Sequence, residues 1–146
     1  MDRGVALLLA TAIGGTLALQ APLNSLLGRT VGDLRATIVA FTVGLVALLA
    51  VSVLAGGLGG IARAGDAPWY ALVGGGLIGA LYVASIVWTV RALGAGGLTA
   101  ATIAGQFALA VVVDHFGWLV VERQQITLAK LAGLALVAAG TWLIVD

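Results

Sequence analysis

Residues 34–54 decide the fold, and they read LRATIVAFTVGLVALLAVSVL. The stretch carries one charged residue, Arg35, and about 20 apolar residues are enough to cross the hydrocarbon core of a bilayer as a helix. Four more runs of this kind lie at about 4–27, 68–92, 97–121 and 126–145. The pattern predicts an all-α integral membrane protein, in which residues 1–146 form a single domain of five transmembrane helices.

The composition excludes several classes of protein. The chain is 62% hydrophobic and 9% charged, so five spans leave only short loops and no room for a soluble catalytic domain. A net charge of +1 without a basic run argues against nucleic-acid binding. The sequence has no cysteine and no catalytic triad, His/Cys metal spacing or phosphate-binding Gly-Lys-Ser/Thr motif. We therefore predict no enzyme activity, no metal and no cofactor.

The basic residues divide almost evenly between the two sides of the predicted membrane. The amino-terminal side carries Arg3, Arg63, Arg123 and Lys130, and the opposite side carries Arg29, Arg35 and Arg91. Lys and Arg in short loops normally set the orientation of a membrane protein, and four against three gives no usable bias. We expect insertion in both orientations and an antiparallel homodimer similar to the inverted repeats of larger transporters. A single orientation set by weak local effects is the alternative.

Helix one carries a polar stripe. Thr16, Gln20 and Asn24 are spaced four residues apart and therefore share one helix face. Pro22 lies among them and leaves the carbonyl of Ala18 without its helical donor. Amides beside freed backbone polarity are suited to holding a polar solute, so Gln20 and Asn24 are candidate substrate-binding residues. Hydrogen bonding that only joins helices is an equally good interpretation.

Helix three adds a third candidate, Tyr82. It shares roughly a third of the helix surface with Gly75, Gly79, Ser85 and Thr89. The two glycines favour close helix packing. The phenol of Tyr82 could face a cavity, or it could be a packed ring near the interface.

Helix four has the clearest stripe. Thr99, Thr102 and Gln106 share a face, and Gln106 lies near the middle of its span, where a polar side chain should face protein or water. Asp114 follows on this face, next to His115. A carboxylate beside an imidazole could couple transport to protons. The alternative is that Asp114 and His115 only cap or anchor the helix end.

Four segments of the chain resemble the bacterial YdcZ-like family of the drug/metabolite transporter superfamily. They are Gln20-Ala-Pro-Leu-Asn24, Gly79-Ala-Leu-Tyr82, Ala104-Gly105-Gln106 and Asp114-His115-Phe116-Gly117. The resemblance covers nearly the whole chain. It implies five helices per chain, an inner (cytoplasmic) membrane location, and members that occur as dual-topology dimers, paired genes or ten-helix fusions. The related small multidrug resistance family relies on a Glu in helix one, where this chain has Gln20 and Asn24, so cationic drug exchange is not implied.

The sequence thus predicts a small-molecule transporter in the lipid bilayer that works by alternating access as a dual-topology homodimer. Its substrate site would combine Gln20, Asn24, Tyr82 and Gln106. Because these groups carry no charge, they favour a neutral or zwitterionic small metabolite. A small dual-topology ion channel is the main alternative, and a scaffold that does not transport is a third.

Overall fold

The computed structural model describes residues 2–118 and 122–146, and these residues are almost entirely helical. The helices, in chain order, are α1 Arg3–Leu17, α2 Gln20–Val31, α3 Asp33–Leu54, a 3-10 helix Gly59–Asp66, α4 Trp69–Phe116 and α5 Leu128–Val145. By length and hydropathy they supply four candidate membrane spans: Gly4–Val31, Asp33–Leu54, Trp69–Phe116 and Leu128–Val145.

The first span is interrupted between α1 and α2, one turn before Pro22. Proline has no amide hydrogen and cannot bond to the carbonyl four residues earlier, which belongs to Ala18. At the same break, the amide of Leu19 bonds to the carbonyl of Thr16, three residues back, at 3.1 Å. The sequence predicts one helix over 4–27. The structure instead has two helices in succession, α1 and α2, and the second ends at Val31.

Glycines set both ends of α3. Gly32, with φ of 90°, separates α2 from α3 by a single residue. After Leu54 the chain closes with two hydrogen bonds, from the amide of Gly56 to the carbonyl of Val53 and from Gly57 to Ser52. This pairing is a Schellman motif, which satisfies carbonyls that a helix end leaves free. The predicted range for this helix, 34–54, differs from α3 only at its first residue.

Helix α4 is continuous for 48 residues except at Gly94, where φ is 68° and ψ is 172°. The sequence predicts two helices here, 68–92 and 97–121, with a glycine turn between them. The second of these ends at Phe116 in the structure. Gly117 has φ of 63°, and Gly117 and Trp118 donate to Asp114 and Val113 in a second Schellman motif. The last predicted residues, 119–121, lie outside the described part of the chain.

The last helix begins at a side-chain cap. The Thr127 hydroxyl accepts a hydrogen bond from the amide of Lys130 at 3.2 Å, so α5 starts at Leu128 instead of 126. Within α5, the Thr141 hydroxyl donates to the carbonyl of Ala100 on α4 at 3.0 Å.

The chain divides into two compact units, residues 1–91 and residues 92–146. In the first unit the buried residues include Ala36 on α3 and Val83 and Val87 on α4. In the second unit Leu98 and Val111 are buried. Each unit has only a small core of its own, as expected of helices that expose much of their surface to lipid.

Candidate functional site

A partly open cavity of about 340 Å³ lies in the first unit, and one polar side chain, that of Gln20, lines it. The break between α1 and α2 places Gln20 at the first residue of α2. The other lining residues are apolar: Ala40, Phe41, Gly44, Leu45, Leu48 and Val83. Ligand sites typically combine apolar walls with a few polar groups, and this cavity has that composition.

Asn24, one turn after Gln20, is buried, with 8% of its surface exposed. Its Nδ2 atom has no hydrogen-bond partner within the described chain. A buried amide left without a partner is destabilising. Of the four residues predicted to bind substrate, Gln20 lines the cavity, and Asn24 lies one turn further along the same helix.

Tyr82 belongs to α4 in the first unit and is partly buried. Its neighbour Val83 lines the cavity. The hydroxyls on this face bond within their own helix, with Ser85 donating to the carbonyl of Tyr82 at 2.7 Å and Thr89 to that of Ser85 at 2.8 Å. Gly79 faces Phe41, since a methyl at Gly79 would lie 3.8 Å from the ring. The approach of Gly79 to Phe41, a lining residue of the cavity, brings α4 against α3.

Gln106 belongs to the second unit and is exposed there. The hydroxyls of Thr99 and Thr102 bond to carbonyls of their own helix, at 2.7 Å to Ala95 and 3.0 Å to Leu98. Unlike these two hydroxyls, the side-chain amide of Gln106 lies on the exposed surface of its unit.

Asp114 and His115 lie in the last turn of α4. Asp114 forms an ion pair with Lys130 of α5 at 3.9 Å, and its backbone carbonyl accepts from the amide of Gln124 at 2.8 Å. The carbonyl of His115 accepts a hydrogen bond from the Arg123 side chain at 3.0 Å. His115 Nδ1 is buried without a partner in the described chain. These contacts join the end of α4 to the following loop and to α5.

Sequence reasoning missed an ion pair in the first unit. Arg91, counted only as a topological charge, forms a two-point salt bridge with Asp33. Two signals in the sequence could have indicated it: Asp33 directly precedes predicted helix two, and Arg91 lies near the end of predicted helix three, on the same predicted membrane face. Among the described residues, no group of His, Cys, Asp and Glu side chains could hold a metal ion.

Comparison with known protein families identifies a match. Residues 5–143 match the family model described as "Putative inner membrane exporter, YdcZ". No curated protein and no solved structure matches the chain. The family match covers nearly the whole sequence and confirms both the predicted family and the inner-membrane location. The chain, a multi-pass membrane transport protein, therefore belongs to the YdcZ family.

Proposed function

We propose that this protein is an alternating-access transporter that acts as an antiparallel homodimer and carries a neutral or zwitterionic small metabolite. The observation that carries the proposal is the cavity of about 340 Å³, lined by apolar side chains and the amide of Gln20. The description of the family as an exporter agrees with it.

The proposal includes five membrane spans per chain. A straight helix of 48 residues would be about 72 Å long at 1.5 Å per residue, more than twice the roughly 30 Å of a hydrocarbon core. Gly94 breaks this helix near its middle. We therefore propose that α4 forms two spans that meet at Gly94, which gives five spans with the other three.

The cavity supports an uncharged or internally neutralised solute. Its lining has no ionisable side chain, and an unpaired ion in apolar surroundings is strongly disfavoured. The side-chain amide of Gln20 has a carbonyl oxygen that accepts hydrogen bonds and an NH2 group that donates them. The volume of the cavity equals that of about 11 water molecules at roughly 30 Å³ each, which suits a small metabolite.

Two observations support the antiparallel dimer: the even division of the basic residues and the exposure of Gln106. Four basic residues on one side against three on the other permit both orientations. Gln106 is exposed near the middle of its predicted span, and a polar side chain facing lipid is costly. In the proposed dimer, Gln20, Asn24, Tyr82 and Gln106 of both subunits serve the substrate site.

Coupling to protons through Asp114 and His115 is a separate part of the proposal. Asp114→Asn removes a charge that Lys130 now faces at 3.9 Å. If Asp114 carries the proton, uptake by this variant in proteoliposomes no longer responds to an imposed pH gradient. Gradient-driven uptake equal to that of the unmodified protein rejects the coupling and leaves Asp114 as a structural residue.

The transport proposal is tested by a binding screen followed by flux. Purified protein is heated with a panel of neutral, zwitterionic and charged metabolites, and compounds that raise the unfolding temperature are then assayed for uptake into liposomes. Gln20→Ala should abolish the shift and the uptake. Gln125→Ala, which removes an exposed amide outside the spans, is the matched control and should retain both.

Other outcomes distinguish the alternatives. Single-channel currents, or flux too fast for a conformational cycle, indicate an ion channel. If Gln20→Ala misfolds and the unmodified protein transports nothing, the protein is a scaffold in which the amides only join helices.

A further inference from the structure

The Arg91 side chain joins three helices at one end of the first unit. Its Nη1 donates to Asp33 Oδ2 at 3.0 Å and its Nη2 to Asp33 Oδ1 at 2.5 Å. Its Nε donates to the Ser25 hydroxyl at 3.0 Å, and Nη2 also reaches the Ser25 carbonyl at 3.4 Å. We call Ser25, Asp33 and Arg91 the Arg91 cluster. It connects α2, the start of α3, and α4.

Gly28 makes this close arrangement possible. A methyl group at Gly28 would lie 2.5 Å from Asp33 Oδ1 and 3.2 Å from Arg91 Nη2. It would also lie 3.3 Å from a methyl of Val87, a fully buried residue. The absence of a side chain at Gly28 lets the ion pair lie directly against the backbone of α2.

The cluster lies on one side of the cavity along all three helices. On α3, Asp33 precedes the lining residue Phe41 by eight positions, or about 12 Å. On α4, Arg91 follows the lining residue Val83 by eight positions, again about 12 Å. Ser25 follows Gln20 on α2 in the same direction.

Buried small residues fill the space between the cluster and the cavity. Ala36 on α3 and Val87 on α4 are both 0% exposed, and Thr37 is buried beside Ala36. Each lies on its helix between a cluster residue and a cavity residue. The first unit is therefore closed at this end by a packed layer with the ion pair above it.

We propose that the Arg91 cluster is a gate, whose closed form seals the cavity from this membrane face and whose opening admits solute. The inference rests on the proposed transport function. In an antiparallel homodimer the two copies of the cluster lie at opposite membrane faces. One closed cluster and one open cluster would then give the two-sided control that alternating access needs.

The chemistry of the pair suits repeated opening. The side chains of Arg91 and Asp33 are 37% and 20% exposed, so water can solvate both charges when they separate. A fully buried pair would leave unsolvated charges on opening, at a large cost. The two-point geometry of guanidinium and carboxylate gives the closed form a defined position.

The test measures access to the cavity, not transport. The chain has no cysteine, so a single cysteine in place of Ala40, a cavity-lining residue, is the only reactive thiol. Protein in liposomes is treated with a membrane-impermeant maleimide, and the labelling rate is compared with and without Asp33→Asn. We expect labelling to rise about tenfold, equivalent to 1.4 kcal/mol, because the closed form loses its ion pair.

Two matched controls accompany this measurement. Asp66→Asn makes the same chemical change at an exposed residue of the 3-10 helix and should leave the labelling of Ala40→Cys unchanged. Val111→Cys, buried in the second unit, reports general loosening and should stay unlabelled in both backgrounds. Arg91→Lys keeps the charge but loses the two-point contact, and should raise the labelling of Ala40→Cys by a smaller factor.

The possible results separate the gate from a static connection. Unchanged labelling of Ala40→Cys in folded Asp33→Asn protein overturns the gate, as does equal acceleration at Val111→Cys. If Asp33→Asn does not fold, Arg91→Lys decides in the same way. If the protein transports a solute but Asp33→Asn leaves the labelling rate unchanged, only the gate is rejected. If Asp33→Asn raises the labelling rate but no solute is transported, only the transport proposal is rejected.

Discussion

Gly28→Ala tests the steric basis of the Arg91 cluster. The added methyl would lie 2.5 Å from Asp33 Oδ1, so the carboxylate must retreat by about 0.9 Å to reach ordinary contact at 3.4 Å. That movement breaks or lengthens the hydrogen bond between Asp33 Oδ1 and Arg91 Nη2. Hydrogen bonds to charged groups contribute about 1.5–3 kcal/mol and exposed ion pairs about 0.2–1 kcal/mol. For this partly exposed pair we expect a loss of roughly 1–2 kcal/mol.

Helix propensity acts in the opposite direction. Ala is favoured over Gly inside a helix by about 1 kcal/mol. Gly14→Ala, in α1, provides the control, since a methyl there meets nothing within 4 Å. We expect Gly14→Ala to raise the free energy of unfolding by up to about 1 kcal/mol, and Gly28→Ala to leave it unchanged or lower it.

The assay is equilibrium unfolding in mixed detergent micelles, followed by circular dichroism. The difference between the two alanine variants should be about 1–2 kcal/mol. In an Asp33→Ala background, where no carboxylate opposes the methyl, Gly28→Ala should regain most of its propensity gain. Equal stabilisation by Gly28→Ala and Gly14→Ala in the native background would refute the proposed contact.

Two further predictions concern the second unit. Gly117→Ala should lower the free energy of unfolding by about 1–2 kcal/mol in the same assay, since a φ of 63° is unfavourable for a residue with a side chain. Gly105→Ala, inside a helix with open space around it, is the control and should not lower it. Thr141→Val should lower the free energy of unfolding by about 0.6 kcal/mol, because it removes the hydrogen bond to the Ala100 carbonyl. Thr11→Val breaks only a bond within its own helix and should be nearly neutral. Equal effects of the two substitutions would contradict this prediction.

Hydropathy located the apolar helices, because a span needs about 20 apolar residues, and this requirement is visible in the sequence alone. The two predicted spans 68–92 and 97–121, however, lie within the single helix α4. Hydropathy located helix ends less well. The apolar run 118–121 extends the predicted fourth helix, but Gly117 takes a positive φ and closes α4 at Phe116. Hydrogen bonding at the helix end, not hydropathy, sets this boundary.

The candidate site was predictable where one helix carries the signal. Spacing on helix one singles out Gln20 and Asn24; Gln20 lines the cavity, and Asn24 is a buried residue of the same helix, α2. The pairing of Arg91 with Asp33 joins residues 58 positions apart. Such a contact depends on how three helices pack, which periodicity within one helix does not encode.

The antiparallel dimer is tested most directly by the orientation of a single loop residue in the membrane. Ala67→Cys places one thiol at an exposed position between α3 and α4, in a chain that has no other. Sealed vesicles are treated with an impermeant maleimide, and a permeant reagent then gives the total. Dual insertion predicts that about half of the thiols react from outside, and that adding Lys residues to one side makes the fraction approach all or none. Complete or absent labelling of the unmodified loop would show a single orientation and contradict the antiparallel dimer.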